Sequence, residues 1–139
     1  MNKSLFIDSD IILDLLTERE LFYHSAAKIF TLAYEKKLEL FTSAVVFANV
    51  FYILRKIKGN EIAKRQLKNL RILVHILPIN QNTVDMALNS GFSDFEDGLQ
   101  YFVVKENNLL TIITRNIADY KTGDVVTQTS EEYISRTDF

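Results

Sequence analysis

The chain has 139 residues, 47% of them hydrophobic and 24% charged, with a formal net charge of −2. This is enough for one compact domain over residues 1–139 with a real core, too apolar for wholesale disorder, and without the positive field that would draw in nucleic acid as a whole. The absence of cysteine excludes disulfides, thiolate catalysis and cysteine zinc sites. No apolar run approaches the roughly 20 residues that cross a bilayer, and the run after Met1 is too short for a signal peptide, so a cytoplasmic protein without membrane association is expected.

Taken in chain order, Ser4 to Asp8 reads as a short apolar strand and Asp10 to Leu16 as the opening of a helix. Phe22 to Lys36 is amphipathic, with Phe22, Ala26, Ile29, Phe30 and Ala33 on one face. Leu38 to Phe41 is a second strand, after which Ser43 caps a helix from Ala44 to Lys56 that is apolar almost all round. Gly59-Asn60 breaks the pattern before a basic helix from Glu61 to Arg71. Leu73 to Leu77 is a third strand, closed by Pro78. Asn80 caps a helix to about Ser90, with Gly91 as its stop. Ser93 and Glu96 have the spacing of a capping box for a helix to about Glu106. Leu110 to Thr114 is a fourth strand, Asp124 to Thr127 a weak fifth, and Ser130 to Ser135 a last helical turn.

Continuous apolar strands separated by helices imply a parallel sheet covered on both faces, in which ligands bind beyond the carboxyl ends of the strands. Asp8 ends the first strand and Thr114-Arg115-Asn116 follows the fourth. If those strands are neighbours, their polar ends meet. Acids gathered there repel one another unless a cation lies between them, and hard oxygen ligands suit Mg²⁺ or Mn²⁺.

Each acid also has a purely structural explanation. Asp10 can cap the first helix and Asp14 can complement its dipole, leaving Asp8 as a loop residue. For Asp8, an acid at a buried strand end calls for an electrostatic partner. Asn49 is the one amide in Ala44–Leu54, so it must reach either a partner across the core or the site. Glu96 is explained by capping, whereas an inward-facing Asp97 at the start of an apolar helix needs a cation. Asn116 can cap a turn that Asp119 completes, and Thr114 can donate its hydroxyl to a carboxylate or a bound water. His24 and His75 are isolated and lack ligand spacing.

The charge is unevenly spread. Arg55, Lys56, Lys58, Lys64, Arg65, Lys68 and Arg71 lie in one stretch with a single acid, Glu61. Lys64, Lys68 and Arg71 follow i, i+4, i+7 spacing and share a helix face. Such a face is either simply solvated or a surface for phosphates.

The stretches F-I-D-S-D-I-I-L-D-L-L, S-A-V-V-F-A-N-V-F-Y-I-L, D-F-E-D-G-L-Q and I-I-T-R-N-I-A-D-Y resemble, in order and spacing, the PIN domain family and its bacterial VapC-type toxin branch. The likeness covers nearly the whole chain. It implies a three-layer α/β/α sandwich around a mostly parallel sheet of about five strands, and a Mg²⁺- or Mn²⁺-dependent endoribonuclease. It further implies a toxin neutralised by a small antitoxin, with homodimers common. Carried onto this chain, Asp8 matches the family's first-strand aspartate and Asp97 its acid on the later helix. Asn49 stands where most members have a metal-site glutamate, and Asn116 where many have a fourth aspartate. Asp119, Asp10 or Glu96 is then the source of the missing charge.

The expected site is therefore Asp8, Asp97 and Asp119, with Asp10 as a further metal ligand and Asn49, Glu96, Thr114 and Asn116 lining it. Arg115, Arg55, Lys56, Lys64, Lys68 and Arg71 would hold single-stranded or structured RNA through its phosphates. The competing reading is a PIN-like module that binds RNA or a protein without cleaving. A DNA-directed nuclease is a weaker third.

Overall fold

Strand β1 (Lys3–Ile7) lies at the centre of a five-stranded sheet. Leu5, Phe6 and Ile7 are buried, as a strand covered on both faces requires. The computed structural model describes residues 3–120 and 124–137. The other strands are β2 (Leu38–Ser43), β3 (Val74–Leu77), β4 (Thr111–Ile113) and β5 (Val126–Gln128), in the order β3-β2-β1-β4-β5. Every adjacent pair is parallel; Phe6 and Ile7 of β1 sit in register with Ile112 and Ile113 of β4.

Helices α1 (Ser9–Leu16) and α2 (Tyr23–Tyr34) join β1 to β2, and α3 (Ala44–Lys58) and α4 (Asn60–Arg71) join β2 to β3. Helices α5 (Gln81–Leu88) and α6 (Phe95–Glu106) join β3 to β4, and α7 (Ser130–Arg136) follows β5 and packs on α2. The winding moves outward from β1 through β2 to β3, then jumps back across β1 to β4. Right-handed crossovers therefore put α1 to α4 on one face and α5 and α6 on the other. This is the expected α/β/α sandwich.

Several boundaries differ from the sequence reading, each for a local reason. Helix α1 starts at Ser9, and its cap is Asp8, whose carboxylate accepts the Ser9 N–H; Asp10 lies inside the first turn. The proposed Ser93–Glu96 box does not form. Asp94 caps α6 instead, its Oδ1 accepting the Asp97 N–H at 3.0 Å, because an ionised acceptor complements the positive helix end better than a hydroxyl. Helix α5 ends at Leu88, before Gly91, and its Asn80 cap is reinforced by Thr83. Ser43 caps α3 as expected. The chain passes from α3 to α4 through Gly59 at φ 89°, a conformation that strains any residue with a Cβ.

Candidate metal centre

The sheet's winding reverses between β1 and β4, and the crevice at such a switch point is where α/β sheets bind ligands. Asp8 leaves β1 there, its backbone N–H still paired with the Ile113 carbonyl at 3.0 Å. A pocket of ≈ 200 Å³ opens at this edge. It is lined by Asp8, Asp94, Glu96, Asp97 and Asp119, with Ser9, Val46, Asn49, Gln100 and Asn116 completing it. No cationic side chain is in that lining. The chain thus brings Asp8, Asp97 and Asp119 together from β1, α6 and the turn after β4.

Asp8 is only 8% exposed. Burial pushes its carboxyl above the ordinary carboxylate range, against three hydrogen bonds that favour the ionised form. Ser9 N–H donates to Oδ1 at 2.8 Å, and the hydroxyls of Thr114 and Tyr120 donate to Oδ2 at 3.0 and 3.1 Å. Asp97 is pushed up to about 7, first by burial and then by Asp94, Asp119, Asp8 and Glu96. All of its charged influences have one sign. A carboxylate pressed this way by its neighbours gains most from a cation.

Asp10 stands beside Asp8 but outside the pocket lining. Its carboxyl is raised to about 6 by burial and by Asp8. Its Oδ2 accepts the Arg115 N–H at 2.8 Å, while its Oδ1 is buried without a partner. Asn49 does reach the site, where its amide nitrogen donates to Glu96 Oε2 at 2.8 Å. Asn116 lines the pocket, its N–H donating to Thr114 Oγ1 at 3.0 Å.

Arg115, expected from the sequence to hold RNA phosphates, directs its guanidinium at a buried acid. Its guanidinium does not line the pocket; it is bound to Asp14 at 2.9 and 3.0 Å and lies 4.1 Å from the centre of the Phe22 ring. Asp14 is correspondingly a buried ion-pair partner rather than a first-turn dipole acid. Arg55, Lys56, Lys64, Lys68 and Arg71 are exposed and also lie outside the pocket. Arg55 sits 5.2 Å from the Tyr52 ring centre, and Arg71 donates to the Val74 carbonyl at 3.2 Å.

Sequence reasoning missed Asp94, Ser9, Gln100 and Tyr120. Gln100 was findable, since it follows Asp97 at helical i+3 spacing; its Oε1 accepts the Ser43 hydroxyl at 2.7 Å. Tyr120 had only its place beside Asp119 as a signal.

The side-chain donors in the pocket are oxygens apart from the amide nitrogens of Asn49, Gln100 and Asn116, and carboxylate oxygens fit a hard divalent cation. Among the described residues, however, no group of three or more His, Cys, Asp or Glu stands close enough to hold an ion as it is. The set fits in chemistry and is incompletely assembled in geometry.

A parallel α/β sheet with an acidic pocket at its switch point defines the class of molecule. Residues 4–118 match the family model described as PIN domain. The chain belongs to the PIN domain family. It is 26% identical over 140 residues to Ribonuclease VapC1 of Aquifex aeolicus, covering 97% of this chain and 96% of that one. Its structure resembles Mycobacterium tuberculosis VapC20, described as a sarcin-ricin loop cleaving toxin, with a TM-score of 0.69 and 14% identity, covering 87% of this chain and 96% of that one. It also resembles a toxin-antitoxin complex from Klebsiella pneumoniae, with a TM-score of 0.67 and 19% identity, covering 91% and 97%. The VapC-type likeness read from the sequence is borne out. Among the described residues no helix is long and apolar enough to cross a membrane.

Proposed function

We propose that this chain is a divalent-cation-dependent endoribonuclease and the toxin of a toxin–antitoxin pair. The observation that carries the reading is the convergence of Asp8, Asp97 and Asp119 on one pocket with no basic side chain in its lining. The likeness to a relative named a ribonuclease, and to a solved toxin–antitoxin complex, supports the activity and the partner.

Asp8, Asp97 and Asp119 would hold Mg²⁺ or Mn²⁺, with Asp10 adding charge beside Asp8. Such an ion supplies an activated water and offsets charge on the scissile phosphate. Thr114 and Ser9 orient the Asp8 carboxylate. Gln100, anchored by Ser43, lines the pocket and would supply its amide as a neutral donor for a phosphate or a water. The exposed basic residues of α3 and α4 would hold the RNA backbone outside the pocket.

Two observations favour a second reading, a module that binds RNA or a protein without cleaving. The Asn49 amide engages Glu96, and no three acids form a ready cluster among the described residues. Cleavage of single-stranded RNA with Mn²⁺, with chelator, and with Asp8→Asn and Asp97→Asn separates the two. The nuclease reading expects activity that needs the ion and disappears in both variants. RNA binding without cleavage under every condition would give the module.

A further inference from the structure

A buried hydroxyl at the back of the pocket has no part in the reading above. Tyr120 closes the short 3₁₀ turn after β4 (Ile117–Tyr120), is 2% exposed, and places its oxygen 3.1 Å from Asp8 Oδ2. An ionised carboxylate only accepts, so both hydroxyls directed at Oδ2 donate. Thr114 has one hydrogen for two acids, with Asp8 Oδ2 at 3.0 Å and Asp10 Oδ2 at 3.4 Å. Tyr120 has no such division, since Asp8 is the acceptor of its hydroxyl. Its ring is held by edge-on packing against Phe92, with centroids 6.3 Å apart.

We propose that Tyr120 is a positioning residue for Asp8: with Thr114 it saturates Oδ2 and leaves Oδ1 as the oxygen with acceptor capacity to spare for a divalent cation. Oδ1 carries only the Ser9 N–H. The inference rests on the cation-binding reading of the pocket. The physical reason for such a device is that the terminal torsion of an aspartate is broad and nearly two-fold. A carboxylate held at both oxygens by donors from α1, the end of β4 and the 3₁₀ turn cannot swing. It meets an incoming ion without an ordering cost. In a pocket where Asn49 brings no charge, a fixed Asp8 carries more of the binding.

The test uses the full chain and Tyr120→Phe, which keeps the ring and removes only the hydroxyl, with Phe92→Leu as the control for packing. Mn²⁺ binding is measured by calorimetry, and the Asp8 carboxyl carbon is followed by NMR in the metal-free protein, assigned by its loss in Asp8→Asn. The expected result is about a tenfold loss of Mn²⁺ affinity in Tyr120→Phe, with a displaced Asp8 carboxyl signal. Phe92→Leu should change neither beyond about twofold on the same scale. Unchanged affinity in Tyr120→Phe, an unmoved carboxyl signal, or an equal effect of Phe92→Leu would overturn the proposal. If the parent chain binds no Mn²⁺, the proposed function fails, and the carboxyl signal alone decides whether Tyr120 holds Asp8.

Discussion

The Arg115 guanidinium forks the Asp14 carboxylate, Nε to Oδ2 at 2.9 Å and Nη2 to Oδ1 at 3.0 Å. The backbone N–H of the same residue donates to Asp10 Oδ2 at 2.8 Å. One residue at the end of β4 thus gathers two acids of α1, and this fixes α1 against the strand end from which Thr114 reaches Asp8. The site rests on a salt bridge that is not itself in the pocket.

Breaking that fork should cost stability before it costs RNA binding. Asp14 is 1% exposed and loses its bidentate partner in Arg115→Met, while Arg19 remains at 3.5 Å. Leaving a buried charge unpaired costs about 3–5 kcal/mol. The partial exposure of Arg115 (27%) and the residual Arg19 contact reduce this to roughly 2 kcal/mol. Urea unfolding should show a lower midpoint with an unchanged slope. Arg115→Lys should fall between, because it keeps the charge and loses the fork. The salt dependence of RNA binding should not change in either variant.

The raised carboxyls set the sign of the pH dependence. Asp97, pushed up to about 7, and Asp10, pushed up to about 6, lie above the ordinary aspartate range. The folded state therefore keeps protons that the unfolded chain has released, and metal-free stability falls as pH rises from about 4 to about 7. Cation binding runs the opposite way, since it requires Asp97 ionised. Thermal melts with and without Mn²⁺ between pH 5 and about 8 should diverge as pH increases. Parallel curves would remove the link between these acids and the ion.

Lys64 and Lys68 sit on the exposed face of α4, away from the pocket. Changing both to glutamate should weaken RNA binding and flatten its dependence on salt by about 0.7 in logarithmic slope per lost phosphate contact. Cleavage at saturating RNA should be less affected than binding. A wild-type slope in the double variant would make this a solvated helix face.

The fold was legible because each strand is a short apolar run bounded by polar residues, as in Leu5-Phe6-Ile7-Asp8, and a buried parallel strand leaves that trace. The pairing of Asp8 with Asp97 and Asp119 was legible for the same reason, since strand ends and helix starts sit at one sheet edge. Partner choice was not. Arg115 was assigned to RNA phosphates, whereas its guanidinium is taken up by Asp14, since a side chain's direction at a strand end depends on what α1 presents to it. The competition between Ser93 and Asp94 for the start of α6 turned on a one-residue offset that composition does not resolve. Tyr120 was given no role from the sequence; its ring is buried in the core and its hydroxyl reaches Asp8.

Asn49→Glu tests what an added carboxylate at this pocket position does to ion binding. In the present chain the Asn49 amide donates to Glu96 Oε2 at 2.8 Å and so ties α3 to α6 across the pocket. A glutamate there removes the donor and sets a carboxylate against Glu96, in a pocket where Asp97 is already pushed to about 7 by its acidic neighbours. The metal-free variant should therefore be less stable than the parent, by about 1 kcal/mol for the lost bond plus the added repulsion. With Mn²⁺ present the order should reverse, because the same carboxylate becomes an anionic oxygen ligand on a helix that already lines the site. Calorimetry should show tighter Mn²⁺ binding, and the variant's melting temperature should rise more on adding Mn²⁺ than the parent's does. Faster RNA cleavage by the variant would show that Asn49 restrains a working nuclease. Tighter ion binding with no cleavage by either form would place the function in binding alone.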